Sequence, residues 1–117
     1  MEDPALWEAW MREALKEARL AAEEEEVPVG AVVILNNRVI SRGHNQVEAL
    51  KDATAHAEMI ALTAASEAAN DWRLEDATLV VTLEPCVMCY GAILQSRVGR
   101  VMYGAPEIGR ASCRERV

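Results

Sequence analysis

Apolar and polar positions follow distinct rhythms along the chain. Over residues 5–22, Trp7, Trp10, Met11, Ala14, Ala18 and Ala21 recur every three or four positions, with Glu8, Arg12, Glu13, Lys16 and Glu17 between them. That spacing predicts an amphipathic helix with both tryptophans packed in the core. The run Glu23 to Glu26 reads as the solvated end of this helix. Val29 to Leu35 is a continuous apolar run, too short for a buried helix and rich in β-branched residues, so it predicts a strand. Asn36-Asn37 suits a tight hairpin turn because asparagine tolerates positive φ, which makes Arg38 to Ser41 the return strand.

From Gly43 to Asp52 the pattern predicts irregular structure. Residues 55–69 then predict an alanine-rich helix, with Asp52 or Thr54 placed to cap it. Ala57, Ile60, Ala61, Ala64, Ala65 and Ala68 give that helix a flat face that suits close packing on a sheet. Asn70 to Asp76 is a turn-rich connection, and Thr78 to Leu83 predicts a second buried strand. Pro85 opens a helix from about Cys86 to Ser96, since the first helical position has no use for a backbone N–H. A short strand, Arg100 to Tyr103, follows Gly99. The order αββαβαβ, with crossover helices between the later strands, predicts an α/β domain with parallel pairing there.

Length and composition narrow the class. A chain of 117 residues forms at most one domain, and 51% apolar with 26% charged residues is globular rather than disordered composition. No apolar run reaches membrane-spanning length, and the start Met1-Glu2-Asp3-Pro4 lacks the layout of a secretory signal. A cytoplasmic setting is the expectation, and there three cysteines read as thiols or metal ligands before disulfides. The net charge of −7 argues against a nucleic-acid binder, because phosphate neutralisation needs a basic surface. Lys51, Arg73, Arg97 and Arg100 leave room for a local basic patch.

The candidate chemistry lies at two predicted helix starts. Cys86 and Cys89 are one turn apart and can face a common point, while His56 opens the other crossover helix. Helix N-termini suit anionic ligands, and zinc takes Cys and His, with catalytic sites leaving one position for water. Glu58, two residues past His56, falls on another side of the same turn, where it can serve as a proton carrier without binding metal. Each piece alone has a blander reading. Cys-x-x-Cys can be a redox or incidental pair, a single histidine a core or surface residue, and a single glutamate a solvated one. The conjunction of His-x-Glu with Pro-Cys-x-x-Cys resembles the known signature of the zinc deaminases of nucleobases.

The flanking words extend that match. Val27-Pro28-Val29-Gly30-Ala31-Val32, Thr54-Ala55-His56-Ala57-Glu58, Thr82-Leu83-Glu84-Pro85-Cys86-Val87-Met88-Cys89 and Ser96-Arg97-Val98-Gly99-Arg100-Val101 resemble the bacterial tRNA-specific adenosine deaminases over roughly residues 5–105. The resemblance implies a cytidine-deaminase-like α/β/α sandwich with a mixed sheet, truncated here after the fourth strand. It also implies a zinc cofactor held by His56, Cys86 and Cys89, with Glu58 moving protons as adenosine becomes inosine at the wobble position. Asn45 matches an asparagine that hydrogen-bonds the flipped-out base, and Val27 and Leu83 line the pocket. A tRNA anticodon arm as partner and a homodimeric assembly follow from the same likeness. Ala53, His44 and Tyr90 depart from the family pattern, which commonly has a proline, an aromatic and a small residue there.

Two other functions fit the same residues: deamination of a free base or nucleotide such as cytosine or guanine, which suits the acidic charge, and a zinc-stabilised interaction module without turnover. Residues 1–106 are expected to be a C-terminally incomplete deaminase domain. Residues 107–117 resemble translated adapter sequence and are expected to be a non-native tail.

Overall fold

The computed structural model describes residues 3–104. Its first helix, α1 (Pro4–Glu23), starts where Asp3 accepts a hydrogen bond from the Ala5 N–H at 2.9 Å and Pro4 takes an early helical position. Two strands follow, β1 (Gly30–Leu35) and β2 (Arg38–His44), joined at Asn36 and Asn37 with φ of 53° and 61°. A short helix α2 (Val47–Leu50) and the longer α3 (Ala57–Ala69) lead to β3 (Thr78–Val81). Helix α4 (Val87–Gln95) and β4 (Arg100–Tyr103) are the last described elements.

The four strands form one mixed sheet in the order β2-β1-β3-β4. β1 is antiparallel to both neighbours, while β3 and β4 run parallel across the α4 crossover. Strand alternation divides the buried side chains between two faces. Val32, Ile34 and Val80 meet Trp10 and Ala14 of α1. Ala31, Val33, Leu79 and Val81 meet Ala57, Ala61, Leu62 and Ala65 of α3 and Ile93 of α4. Burial on both faces explains why β1 and β3 read as continuous apolar runs rather than alternating ones. The result is a three-layer α/β/α sandwich.

Two glycines set the distance between layers. A Cβ on Gly30 would lie 2.1 Å from the Ala14 carbonyl oxygen of α1, and one on Gly43 would lie 2.5 Å from that of Ala57 in α3. Each helix therefore rests on backbone that carries no side chain. Ser41 adds a hydrogen bond from its hydroxyl to the Ala61 carbonyl at 2.8 Å, fixing α3 along β2.

Several expectations need correction. β2 continues to His44, and the interval from Gly43 to Asp52, expected to be irregular, contains α2. Trp10 is in the core, whereas Trp7 is 38% exposed because it precedes the stripe that meets the sheet. The buried face of α3 is Ala57, Glu58, Ala61, Leu62 and Ala65, turned away from Ile60, Ala64 and Ala68. The residue capping α3 is His56. Asp52 instead accepts from the backbone N–H and hydroxyl of Thr54, closing a turn before the helix. The expected boundary at 106 and the tail 107–117 lie outside the described residues. Among the described residues no helix is long and apolar enough to cross a membrane.

Candidate active site

The sheet register gathers the candidate residues at one end of the molecule. Gly30, the first residue of β1, pairs with His44, the last of β2, and Ala31 pairs with Val81, the last of β3. The segments leaving β2 and β3 therefore emerge on the same rim, where α3 and α4 begin. His56 and Cys86 occupy the N-cap positions of these two helices, both with extended backbone and neither with a side-chain cap hydrogen bond. Positions commonly filled by Ser, Thr or Asp are thus given to nitrogen and sulfur donors.

His56, Cys86 and Cys89 place their donor atoms within 4.8 Å of one another. The Nδ1 atom of His56 lies 3.7 Å from Cys86 Sγ and 3.5 Å from Cys89 Sγ, and both cysteines are buried free thiols. With Zn–S of about 2.3 Å and Zn–N of about 2.05 Å, a tetrahedral centre requires an N-to-S separation of about 3.6 Å. The observed spacing meets that requirement, and the donor types suit zinc. Among the described residues these three would hold zinc, and an open site of that kind would leave a place for water.

Glu58 lies in the first turn of α3 and is 4% exposed. Asn45 is 3% exposed, and its side-chain oxygen has no hydrogen-bond partner among the described residues. Its backbone N–H donates to the Val29 carbonyl at 3.1 Å, and the next residue, Gln46, donates to the carbonyl of Ala55, which precedes His56. Asn45 is therefore tied by the backbone to both sides of the rim. Val27 is exposed in the connector between α1 and β1, and half-buried Leu83 packs against the α3 side of the core.

Polar contacts missed by sequence reasoning surround this rim. His44 lies 3.2 Å from Glu17 through Nδ1 and 3.0 Å from Glu24 through Nε2, joining the end of β2 to α1. Burial pulls the imidazole pKa down, but the hydrogen bonds and charges of Glu24 and Glu17 outweigh it and leave the pKa raised. Glu26, expected to be solvated with its neighbours, is buried and accepts hydrogen bonds from the backbone N–H groups of Glu48 and Ala49. No local pattern marks it among four consecutive glutamates. A signal was available at Gln46, a poor N-cap residue for α2, which leaves that helix needing a distant acceptor.

A sandwich with a His-Cys-Cys centre at two helix starts and a buried glutamate in the first turn of one of them defines an α/β zinc domain. The chain belongs to the cytidine and deoxycytidylate deaminase zinc-binding family, which it matches over residues 5–105. It is 52% identical over 98 residues to the tRNA-specific adenosine deaminase of Bacillus subtilis, an alignment covering 84% of this chain and 61% of that protein. A solved structure from work on A-to-I editing by tRNA:A34 deaminases at the wobble position of transfer RNA superposes with a TM-score of 0.82. That structure shares 50% identity and is covered over 75% of its length by 84% of this chain. The guanine deaminase of Bacillus subtilis also superposes with a TM-score of 0.82, at 34% identity over 86% of this chain and 64% of that one. The chain thus spans about three fifths of the length of the curated bacterial relative it matches.

Proposed function

We propose that this chain carries the catalytic core of a zinc-dependent tRNA adenosine deaminase, which converts adenosine to inosine at the anticodon wobble position. The observation that carries this reading is the convergence of His56, Cys86 and Cys89 beside the turn that holds buried Glu58. When bound, zinc would supply the Lewis acidity that lowers the pKa of a water molecule to about 7. Glu58 would accept a proton from the attacking water at a carboxylate oxygen and deliver it to the ring nitrogen beside C6 of the base. It then carries the second water proton to the exocyclic amine, so that water and adenosine yield inosine and ammonia. Asn45 hydrogen-bonds the extruded base, and Val27 and Leu83 flank it.

Support for the base comes from two directions. The identity to the tRNA-specific relative exceeds that to the guanine deaminase, 52% against 34%, although the fold matches both kinds of deaminase equally well. A buried acceptor without a partner at Asn45 is costly unless a ligand satisfies it, which favours a substrate with a matching donor. The proposed partner is the anticodon arm, met in the cytoplasm by a homodimer. A surface suited to that assembly is the outward side of α4, where Val87, Tyr90 and Leu94 stand exposed at helical spacing.

Zinc-loaded protein incubated with an anticodon stem-loop, free guanine and free cytosine tests the reading. Inosine in the stem-loop is the expected product. Xanthine or uracil alone would transfer the assignment to free-base deamination, and stable zinc without any product would leave an interaction module.

A further inference from the structure

Glu26 joins two pieces of the proposed base pocket that belong to different connectors. Its backbone N–H donates to the Ala21 carbonyl at 2.9 Å, which anchors it to the end of α1 through Glu25 at φ 60°. Its carboxylate reaches across to the segment after β2. One oxygen accepts from the Glu48 N–H at 3.0 Å and the other from the Ala49 N–H at 2.8 Å. With Gln46 as the N-cap residue, these are the second and third N–H groups of α2, the ones a capping side chain ordinarily satisfies. Gln46 makes no such bond, so a residue from another part of the chain takes the role.

These bonds close a ring. From Glu26 the chain passes to Val27, whose carbonyl accepts from the Val29 N–H at 2.8 Å. The Val29 carbonyl accepts from the Asn45 N–H at 3.1 Å, and three residues later Glu48 returns to Glu26. The rest of that circuit is backbone, and the carboxylate is its side-chain link. At 6% exposure it is withdrawn from water, a cost that two hydrogen bonds from backbone donors offset.

We propose that Glu26 is a positioning residue, whose carboxylate fixes the connector bearing Val27 against the segment bearing Asn45 and thereby sets the fit of the base. This rests on the reading of Asn45 and Val27 as substrate contacts. Glu26 need not touch the base. It acts through the two residues that do.

The test compares zinc-loaded wild type, Glu26→Gln, the double variant Glu26→Gln with Gln46→Ser, and Glu23→Gln as a control from the exposed part of the same run. The isosteric amide presents one oxygen and one NH2 to two N–H donors, so one bond is replaced by a clash of donors. Expected for Glu26→Gln are a full zinc complement, loss of hydrogen-exchange protection at the Glu48 and Ala49 amides, and a shifted Asn45 side-chain amide resonance. KM for the stem-loop should rise about 10-fold, the size set by one charge-assisted hydrogen bond, with a smaller change in kcat. Gln46→Ser supplies a local cap, so the double variant should regain thermal stability while KM stays high. Full recovery of KM would show that Glu26 merely caps α2, which overturns the proposal. An unchanged Asn45 resonance in Glu26→Gln would overturn it equally. The exchange and resonance measurements use substrate-free protein, so a failed substrate assignment, seen as no inosine from wild type, remains distinguishable from a failed role for Glu26.

Discussion

Nδ1 of His56 lies 3.5 Å from Sγ of Cys89, although 33 positions separate the two residues in the sequence. Each belongs to a different helix, so an ion shared between them links α3 to α4. A ligand bound only by the folded state stabilises by mass action, about 2.7 kcal/mol when present at 100 times its dissociation constant. Chelation should therefore lower the melting temperature of the wild type. Cys89→Ala should bind less than stoichiometric zinc by elemental analysis and show a smaller drop on chelation than the wild type.

The proposed role of Glu58 is proton transfer rather than metal binding, and the two roles separate in a variant. Glu58→Ala should keep a full zinc complement and lose a factor of about 10²–10⁴ in rate. Single-turnover inosine formation measures the loss. Activity equal to wild type would remove Glu58 from the mechanism.

Asn45 is buried with an oxygen unpaired among the described residues, so its replacement should cost little in the free protein and much in recognition. Asn45→Ala should retain zinc and lower kcat/KM by about 10-fold or more, as expected when a hydrogen bond to substrate is removed. Comparable kcat/KM values for the variant and the wild type would exclude the contact.

The His44 cluster gives stability a pH dependence of definite sign. Its folded pKa is raised above the ordinary value, with Glu17 and Glu24 as partners and Arg42 also reaching Glu17 at 3.7 Å. The stabilisation is fully present below the unfolded value near 6.5 and is lost as pH rises through the higher folded value. Urea midpoints taken from pH 6 upward should fall across that interval, and His44→Gln should flatten the fall. An identical slope in the variant would assign the effect elsewhere.

Two glycine-to-alanine changes should act in opposite directions. At Gly43 the added Cβ meets the Ala57 carbonyl at 2.5 Å and the Ala61 nitrogen at 2.8 Å, so α3 must shift. A cost of about 1–3 kcal/mol and weaker zinc binding should follow, because His56 caps that helix. At Gly91, within α4, a Cβ meets nothing within 4 Å. Alanine there should stabilise by about 0.5–1 kcal/mol through the restricted unfolded chain. Thermal denaturation of both variants checks the pair.

What the sequence made legible follows from how local each signal is. The hairpin was readable because Asn36 and Asn37 state their own backbone preference, and β1 because β-branched residues run without interruption. The ligands were readable because His, Cys and Cys at two helix starts have few competing uses. The face of α3 was not, since an alanine-rich helix offers little contrast between its sides and burial was decided by Gly43 and Ser41 of β2. The separate fates of Glu26 and its three exposed neighbours were equally hidden, because they depend on N–H groups more than twenty residues away. Trp7 and Trp10 illustrate the same limit, with identical chemistry and only the approach of β1 and β3 to distinguish them.

The turn at Asn36 and Asn37 closes the far end of the β1–β2 ladder, opposite the rim where Gly30 pairs with His44. Insertions there should leave the rim that gathers His56, Cys86 and Cys89 undisturbed, which makes this tip the natural anchorage for a fluorophore, an affinity tag or a fused recruiting module.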